Sequence, residues 1–215
     1  MSTPRVARAV IWDMDGTLVD SATVVPDAFI ATVRRLGGPV MTRAEVVSYY
    51  DAGAPHVMLG LMLGRPGTVA DGETYHEVLA ELGHAVVVHR GVEEVLTELR
   101  GRGVPMAVFT GNSIEAARIL LGATGLAAYF DHVVGGNQVE NPKPAPDGVL
   151  LAAQHLGVDP EDCVYVGDSL LDVGAARDAG ARPVAAGWGH LYAAEHAVTI
   201  AHTPAEVLDL VGGRV

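Results

Sequence analysis

Six short apolar runs, rich in β-branched residues, recur along the chain and alternate with segments whose apolar residues repeat at helical spacing. Continuous apolar runs of this length are typical of strands that are covered on both faces, as in a parallel sheet. The order of strand, helix and strand predicts an α/β fold with a doubly wound parallel sheet. The predicted strands are residues 6–12, 104–109, 132–134, 164–166, 183–186 and 198–200.

The segment between residues 20 and 88 interrupts this alternation. Its apolar residues repeat at helical spacing over 25–36, 43–50, 55–63 and 69–82, and only 85–88 has the pattern of a strand. Clusters of Gly and Pro separate the helical stretches, as is typical of turns. We therefore expect a helical cap domain at residues 20–88, inserted into a core domain made of residues 1–19 and 89–215.

The composition narrows the range of partners and compartments. The formal net charge of −12 disfavours duplex nucleic acid, because its binding needs many Lys and Arg side chains at the phosphates. The single cysteine, Cys163, allows no intrachain disulfide. We see no apolar stretch as long as a signal-peptide core or a membrane span. We therefore expect a cytoplasmic protein without nucleic-acid or membrane partners.

Polar residues that can carry chemistry follow the predicted strands. Ligands of an open α/β sheet bind beyond the carboxyl ends of its strands, and there the sequence places carboxylates and a hydroxyl. The only lysine among fourteen basic residues lies between two prolines, just before a helical segment. Such a set is costly to desolvate unless a cation and an anion complete it, and Mg²⁺ and a phosphate would do so. The residues concerned are Asp13, Asp15, Thr110, Lys143, Asp168 and Asp172.

Four motifs, in this order, resemble those of the haloacid dehalogenase-like (HAD) superfamily. They are DMDGTLV at 13–19, TGN at 110–112, Lys143 with its flanking prolines, and GDSLLD at 167–172. The helical insertion lies where the type 1 cap of this superfamily lies, so the resemblance covers essentially the whole chain. It implies a Rossmann-like core with an inserted cap and a phosphoryl-transfer reaction assisted by Mg²⁺.

The resemblance also implies roles for the motif residues. Asp13 is the expected nucleophile, and Asp15 is the expected general acid that protonates the leaving oxygen and then the base that activates water. Lys143 is expected to neutralise the carboxylates and the phosphoryl oxygens. The expected Mg²⁺ ligands are Asp13, Asp15 through its backbone carbonyl, Asp168 and Asp172, the last as a ligand or as an indirect support.

Further residues are predicted to bind the substrate. The hydroxyl of Thr110, which we count as catalytic, and the amide of Gly111 are expected to hydrogen-bond the phosphoryl group. Asn112 and Ser169 are also predicted helix caps. The remaining substrate-binding candidates are Gly16, Asn112 and, in the cap, His56, with Arg65 as a further possibility for the leaving group.

Several activities remain open within this resemblance. The absence of lysine from the insertion argues against a phosphonoacetaldehyde hydrolase, and Asp15 argues against a haloacid dehalogenase. We expect a phosphatase of the phosphoglycolate phosphatase-like branch that acts on a small phosphorylated metabolite, as a monomer or a homodimer. A β-phosphoglucomutase-like sugar phosphomutase would share every core residue. A third alternative is a non-catalytic phosphate-binding module.

Overall fold

The computed structural model describes residues 6–192 and 199–212, and its core is a six-stranded, wholly parallel sheet. The strands of this sheet are β1 (Ala9–Trp12), β4 (Met106–Phe109), β5 (His132–Val134), β6 (Cys163–Gly167), β7 (Arg182–Ala186) and β8 (Thr199–Ala201). They lie in the order β5-β4-β1-β6-β7-β8. This order reverses direction between β1 and β6, which confirms the doubly wound fold.

The predicted strands agree with the observed ones, with small differences at their ends. The run at residues 6–12 becomes a strand only from Ala9, and Val198 of the sixth predicted strand lies outside the described residues. The register places Trp12 of β1 beside Val108 of β4 and Val166 of β6. The carboxyl ends of these three strands are therefore level, and the loops that follow them share one edge of the sheet.

Helices cover both faces of the sheet, as the continuous apolar strands require. Alternate residues of β1 enter different cores: Val10 and Trp12 lie in one buried cluster, and Ala9 and Ile11 lie in the other. The first cluster also takes the apolar residues of α5 (Val92–Gly101) and α6 (Ile114–Ala123). The second takes those of α7 (Asp147–Leu156) and α8 (Leu170–Ala179).

Four further helices occupy the segment that interrupts the strand pattern, as predicted. They are α1 (Val24–Arg35), α2 (Arg43–Val47), α3 (Pro55–Leu63) and α4 (Val69–Leu82). A short antiparallel pair, β2 (Val19–Asp20) with β3 (Val87–Val88), joins the two ends of this segment. The strand β2 was not predicted, because two residues are too few to show a period. The domain boundaries at residues 20 and 88 stay a prediction. Within the described residues, no helix combines the length and the apolar character that crossing a membrane requires.

A buried carboxylate holds the beginning of α4. The side chain of Asp71 accepts hydrogen bonds from the backbone N–H of Thr68 (2.8 Å) and from two guanidinium nitrogens of Arg65 (both 2.7 Å). The Thr68 hydroxyl in turn accepts from the Asp71 N–H, which completes a capping box. The Arg65 hydrogen bonds lower the pKa of Asp71, although its burial acts in the opposite direction. Arg65 therefore serves the packing of the insertion here.

We expect Asp71→Ala to lower the free energy of unfolding by about 0.5–2 kcal/mol, because a helix cap and its arginine partner are lost together. Chemical denaturation measures this change. The matched control is Glu73→Ala, which removes an exposed carboxylate from the same helix. Equal effects of the two variants would contradict the capping role.

Candidate active site

Three carboxylates and one ammonium group meet at the carboxyl edge of the sheet. Asp13 directly follows β1, Asp168 directly follows β6, and Asp172 lies in the first turn of α8. Each offers a carboxylate oxygen, and these oxygens all lie within 4.8 Å of one another. The Nζ atom of Lys143 donates to Oδ1 of Asp13 (2.6 Å) and to Oδ1 of Asp172 (2.7 Å). Residues that are more than a hundred positions apart in the chain thus form one cluster.

The beginning of α8 fixes the orientation of Asp172. Ser169 is the N-cap of this helix, as predicted, and its N–H and hydroxyl donate to Oδ2 of Asp172 at 3.0 and 2.6 Å. Lys143 and the hydroxyl of Tyr165 (3.0 Å) share the other oxygen, Oδ1. Both oxygens of Asp172 therefore accept hydrogen bonds from protein donors. This arrangement favours the role of an indirect support over that of a direct metal ligand.

The charges of the cluster oppose the cost of burying it. Burial raises the pKa of Asp13 well above its usual range, the charge of Lys143 acts against that rise, and the charges of Asp172 and Asp15 add to it. Burial would lower the pKa of Lys143, but Asp13 and Asp172 raise it above its ordinary value. Burial alone would likewise raise the pKa of Asp172, yet Lys143 and Ser169 bring it below its ordinary value. Lys143 is therefore charged at neutral pH, and it compensates two buried carboxylates.

Asp15 lies beside this cluster and has a different set of partners. One of its oxygens, Oδ1, accepts from the hydroxyl of Ser21. The other, Oδ2, accepts from the hydroxyl of Thr110 (3.2 Å) and from the side-chain amide of Asn112 (2.7 Å). The side chain of Asp15 is thus oriented by the loop after β4 and by the beginning of the insertion, and not by Lys143. The two aspartates of the first motif are held in distinct environments.

The predicted cap of α6 was wrong by one residue. Ser113 is the N-cap, and its hydroxyl accepts from the N–H of Ala116 (3.2 Å). The side-chain amide of Asn112 donates to Oδ2 of Asp15 instead, in a charge-assisted hydrogen bond. Gly111 lies exposed in the same loop, and its predicted contact with the phosphoryl group stays a prediction.

Gly16 brings the first motif close to Asp168. Its φ is +77°, and a Cβ atom at this position would lie 2.2 Å from Oδ2 of Asp168 and 2.7 Å from Nδ1 of His190. Only glycine fits both the left-handed backbone and the close approach. The close packing against Asp168 thus explains why position 16 requires glycine. The predicted role of Gly16 in substrate binding stays a prediction.

We expect Gly16→Ala to displace Asp168 and to lower the phosphoryl-transfer activity that the motifs predict by about tenfold or more, because small misplacements in a site are costly. The Mg²⁺ ion that the sequence predicts at these carboxylates should bind more weakly as well. Gly37→Ala is the matched control, since Gly37 has a φ of +76° and no atom within 4 Å of the added Cβ. Similar activity losses in both variants would show that backbone strain, and not the approach to Asp168, is responsible.

The loop after β7 completes one side of the site, and sequence analysis missed it. The indole N–H of Trp188 donates to the carbonyl oxygen of Thr17 (2.8 Å), and the N–H of Leu191 donates to Oδ2 of Asp168 (2.9 Å). Nδ1 of His190 lies 3.7 Å from the same oxygen. The sequence could have indicated this loop, because it also follows the carboxyl end of a predicted parallel strand, where ligands bind.

The structure does not bring the two substrate-binding candidates of the insertion, His56 and Arg65, into contact with the carboxylate cluster. His56 lies in the first turn of α3, where its backbone and Cβ pack against Gly67 and Gly72. Arg65 is held by Asp71, as described above. The proposed contact of His56 with the substrate stays a prediction.

Comparison with known proteins agrees with this geometry. The sequence profile of the haloacid dehalogenase-like hydrolases matches residues 7–180. The chain is 37% identical to "Probable phosphatase IndB" of Dickeya dadantii (strain 3937), over 84% of this chain and 81% of that protein. It is 31% identical to the phosphoglycolate phosphatase of Escherichia coli (strain K12), over 86% of this chain and 83% of that one. The structure of CbbY from Rhodobacter sphaeroides in complex with phosphate superposes with a TM-score of 0.80 at 24% identity, covering 94% of this chain and 96% of that one.

Proposed function

The chain belongs to the haloacid dehalogenase-like hydrolase family and is a phosphatase, and from this premise we propose how it works and on what. We propose that it hydrolyses a small phosphomonoester, of the phosphoglycolate or sugar-phosphate kind, through an aspartyl-phosphate formed on Asp13. The observation that carries the proposal is the meeting of Asp13, Lys143 and Asp168 at one edge of the sheet, with Asp15 held separately beside them.

The donor set of the cluster fits Mg²⁺. Carboxylate oxygens are the ligands that this ion prefers, and Asp13 and Asp168 are buried, with oxygens close enough to share one ion. Within residues 6–192 and 199–212, no hydrogen-bond donor contacts Oδ2 of Asp13 or Oδ1 of Asp168. We propose these two side chains as ligands, together with the backbone carbonyl of Asp15. A bound Mg²⁺ would stabilise negative charge on the phosphoryl oxygens.

Side chains of the protein carry out the nucleophilic attack and the proton transfers. An oxygen of Asp13 attacks phosphorus while the ester P–O bond breaks, and Asp15 gives its proton to the leaving oxygen. Asp15, now a carboxylate, takes a proton from water as that water attacks the aspartyl-phosphate. The Asp13–phosphorus bond then breaks and phosphate leaves. Throughout, Lys143 offsets the charge of the phosphoryl oxygens and of Asp13.

The hydroxyl of Ser21, the hydroxyl of Thr110 and the amide of Asn112 support the second aspartate in this scheme. These three groups donate to Asp15, whereas Lys143 donates to Asp13 and Asp172. The three hydrogen bonds to Asp15 set the orientation of its side chain, and proton transfer to a leaving group requires such a fixed position. The contacts of Asp15 therefore support its proposed double role.

Hydrolysis of p-nitrophenyl phosphate with added Mg²⁺, and again with EDTA, tests the proposal. We expect phosphate release that depends on the metal. A panel containing 2-phosphoglycolate and sugar phosphates should then reveal a substrate with a KM between about 1 μM and 1 mM. Incubation with β-glucose 1-phosphate separates the alternatives, since a phosphomutase yields glucose 6-phosphate in place of free phosphate. No turnover of any ester, together with retained phosphate binding, would favour the non-catalytic binding module.

Two further expectations accompany this proposal. The single cysteine supports a cytoplasmic location, because the chain needs no oxidising compartment to fold. Whether the protein works as a monomer or a homodimer stays a prediction.

A further inference from the structure

We propose that Tyr165 is a positioning residue for the reaction, acting through Asp172 to hold the ammonium group of Lys143 against Asp13. The inference rests on the proposed function of Lys143 and adds to it a residue outside the four motifs. Tyr165 lies in the middle of β6, with 1% of its surface exposed. A tyrosine in the core of a parallel sheet needs a partner for its hydroxyl, and here that partner belongs to the active site.

The single proton of the Tyr165 hydroxyl has two acceptors within reach, Oδ1 of Asp172 (3.0 Å) and the backbone carbonyl oxygen of Phe109 (3.0 Å). The charged carboxylate is the stronger acceptor of the two. Oδ1 of Asp172 is also the atom to which Lys143 donates, at 2.7 Å. Tyr165 and Lys143 therefore share one acceptor, and the hydroxyl restrains the oxygen that restrains the ammonium group. Asp172 therefore connects Tyr165, on a buried strand, to the long side chain of Lys143.

The aromatic rings add a second restraint. Nζ of Lys143 lies 4.9 Å from the centroid of the Phe109 ring and 5.3 Å from that of the Tyr165 ring. The two rings lie 6.0 Å apart with an angle of 30° between their planes, so they form a single platform beneath the cation. An ammonium group over aromatic faces is attracted by their quadrupoles, and more strongly when water is excluded.

Two glycines allow the neighbouring helices to pack closely against the Phe109 ring and the loop of Lys143. A Cβ atom on Gly148 of α7 would lie 2.0 Å from the ring of Phe109. A Cβ atom on Gly174 of α8 would lie 2.8 Å from Cβ of Pro144, the residue after Lys143. The helices can approach the ring and the lysine loop closely only because these positions lack side chains. The lysine is thus enclosed by packed neighbours, and Tyr165 is the neighbour that also contacts its carboxylate partner.

Replacing Tyr165 by phenylalanine tests the role of the hydroxyl while keeping the ring. We expect kcat/KM for p-nitrophenyl phosphate to fall by about tenfold, because a displaced cation weakens the binding of the phosphoryl group in the ground state and its stabilisation in the transition state. The midpoint of thermal unfolding should change little. Tyr129→Phe is the matched control, since its hydroxyl contacts Thr97 (3.0 Å) on the surface. That control should keep the activity of the unmodified protein.

A double-mutant cycle shows whether Tyr165 acts through Lys143. Calorimetry with inorganic phosphate and Mg²⁺ gives the affinity of each variant without requiring turnover. Tyr165→Phe should weaken phosphate binding in the unmodified protein and have no further effect in the Lys143→Ala background. Equal weakening in both backgrounds, or an effect no larger than that of Tyr129→Phe, would overturn the proposal.

Two other outcomes are also decisive. If the unmodified protein hydrolyses no ester, the proposed function fails, yet the phosphate cycle still decides whether Tyr165 and Lys143 are coupled. If Tyr165→Phe does not fold, Phe109→Leu tests the same platform by removing the other ring beneath the ammonium group. A Phe109→Leu variant that folds with unchanged kcat/KM would count against the platform.

Discussion

Replacing Asp13 by asparagine is expected to lower the hydrolysis of p-nitrophenyl phosphate by a factor on the order of 10⁴ or more, because the reaction loses its nucleophile. Asparagine has the same shape, and its carbonyl oxygen can still accept the hydrogen bond of Lys143. The fold and the ammonium group should therefore stay in place, while an amide oxygen cannot form the acyl-phosphate. The loss therefore measures the two proposed roles of the Asp13 carboxylate, as nucleophile and as Mg²⁺ ligand, apart from its packing.

The covalent intermediate gives this prediction a second readout. In the unmodified protein, acid quenching during turnover and mass spectrometry should show one added phosphoryl group, on a peptide that contains Asp13. Asp20→Asn is the control, because Asp20 is an exposed aspartate seven residues further along. It should keep both the rate and the phosphorylated peptide. Substantial turnover by Asp13→Asn would mean that water attacks the ester directly, and the aspartyl-phosphate would have to be abandoned.

Much of the fold was accessible from the sequence because the sheet is buried on both faces. A strand such as Val164–Val166 must then be apolar on both sides, which separates it from the amphipathic helices around it. The positions of Asp13 and Asp168 could be predicted for the same reason. A charged residue that ends a buried apolar run marks the point where the strand leaves the core. The register of Trp12 with Val108 and Val166 explains why these ends meet.

The details of the site depended on tertiary partners that no local pattern contains. Asn112 and Ser113 are both good helix caps, and the nearby carboxylate of Asp15 decides which of them caps α6. Tyr165 has the pattern of an ordinary strand residue, and its role depends on Asp172, seven residues along and in the next helix. Trp188 reaches Thr17 across 171 positions. Local periodicity predicted the elements, but only the packed structure showed which side chains meet.

Asp15→Ala is expected to keep the metal site and to lose turnover by about 10²- to 10⁴-fold, the usual contribution of a general acid and base. The side chain of Asp15 bonds to Ser21, Thr110 and Asn112, and not to the carboxylate cluster. Mg²⁺ affinity, measured by calorimetry, should therefore change little. The proposed metal contact of this residue is its backbone carbonyl, which alanine retains.

The loss should also depend on the leaving group, and this dependence separates the two jobs of Asp15. Nitrophenolate is a stable anion that leaves without a proton, so Asp13 should still be phosphorylated by p-nitrophenyl phosphate in the Asp15→Ala variant. The second step lacks its base, and the enzyme should therefore release one equivalent of nitrophenol in a burst and then turn over slowly. An alkyl phosphate needs the acid in the first step, and with it no burst should form. If the variant gave no burst with either ester while still binding Mg²⁺ and phosphate normally, Asp15 would be required for the attack by Asp13 itself, and its role as a proton carrier would have to be given up.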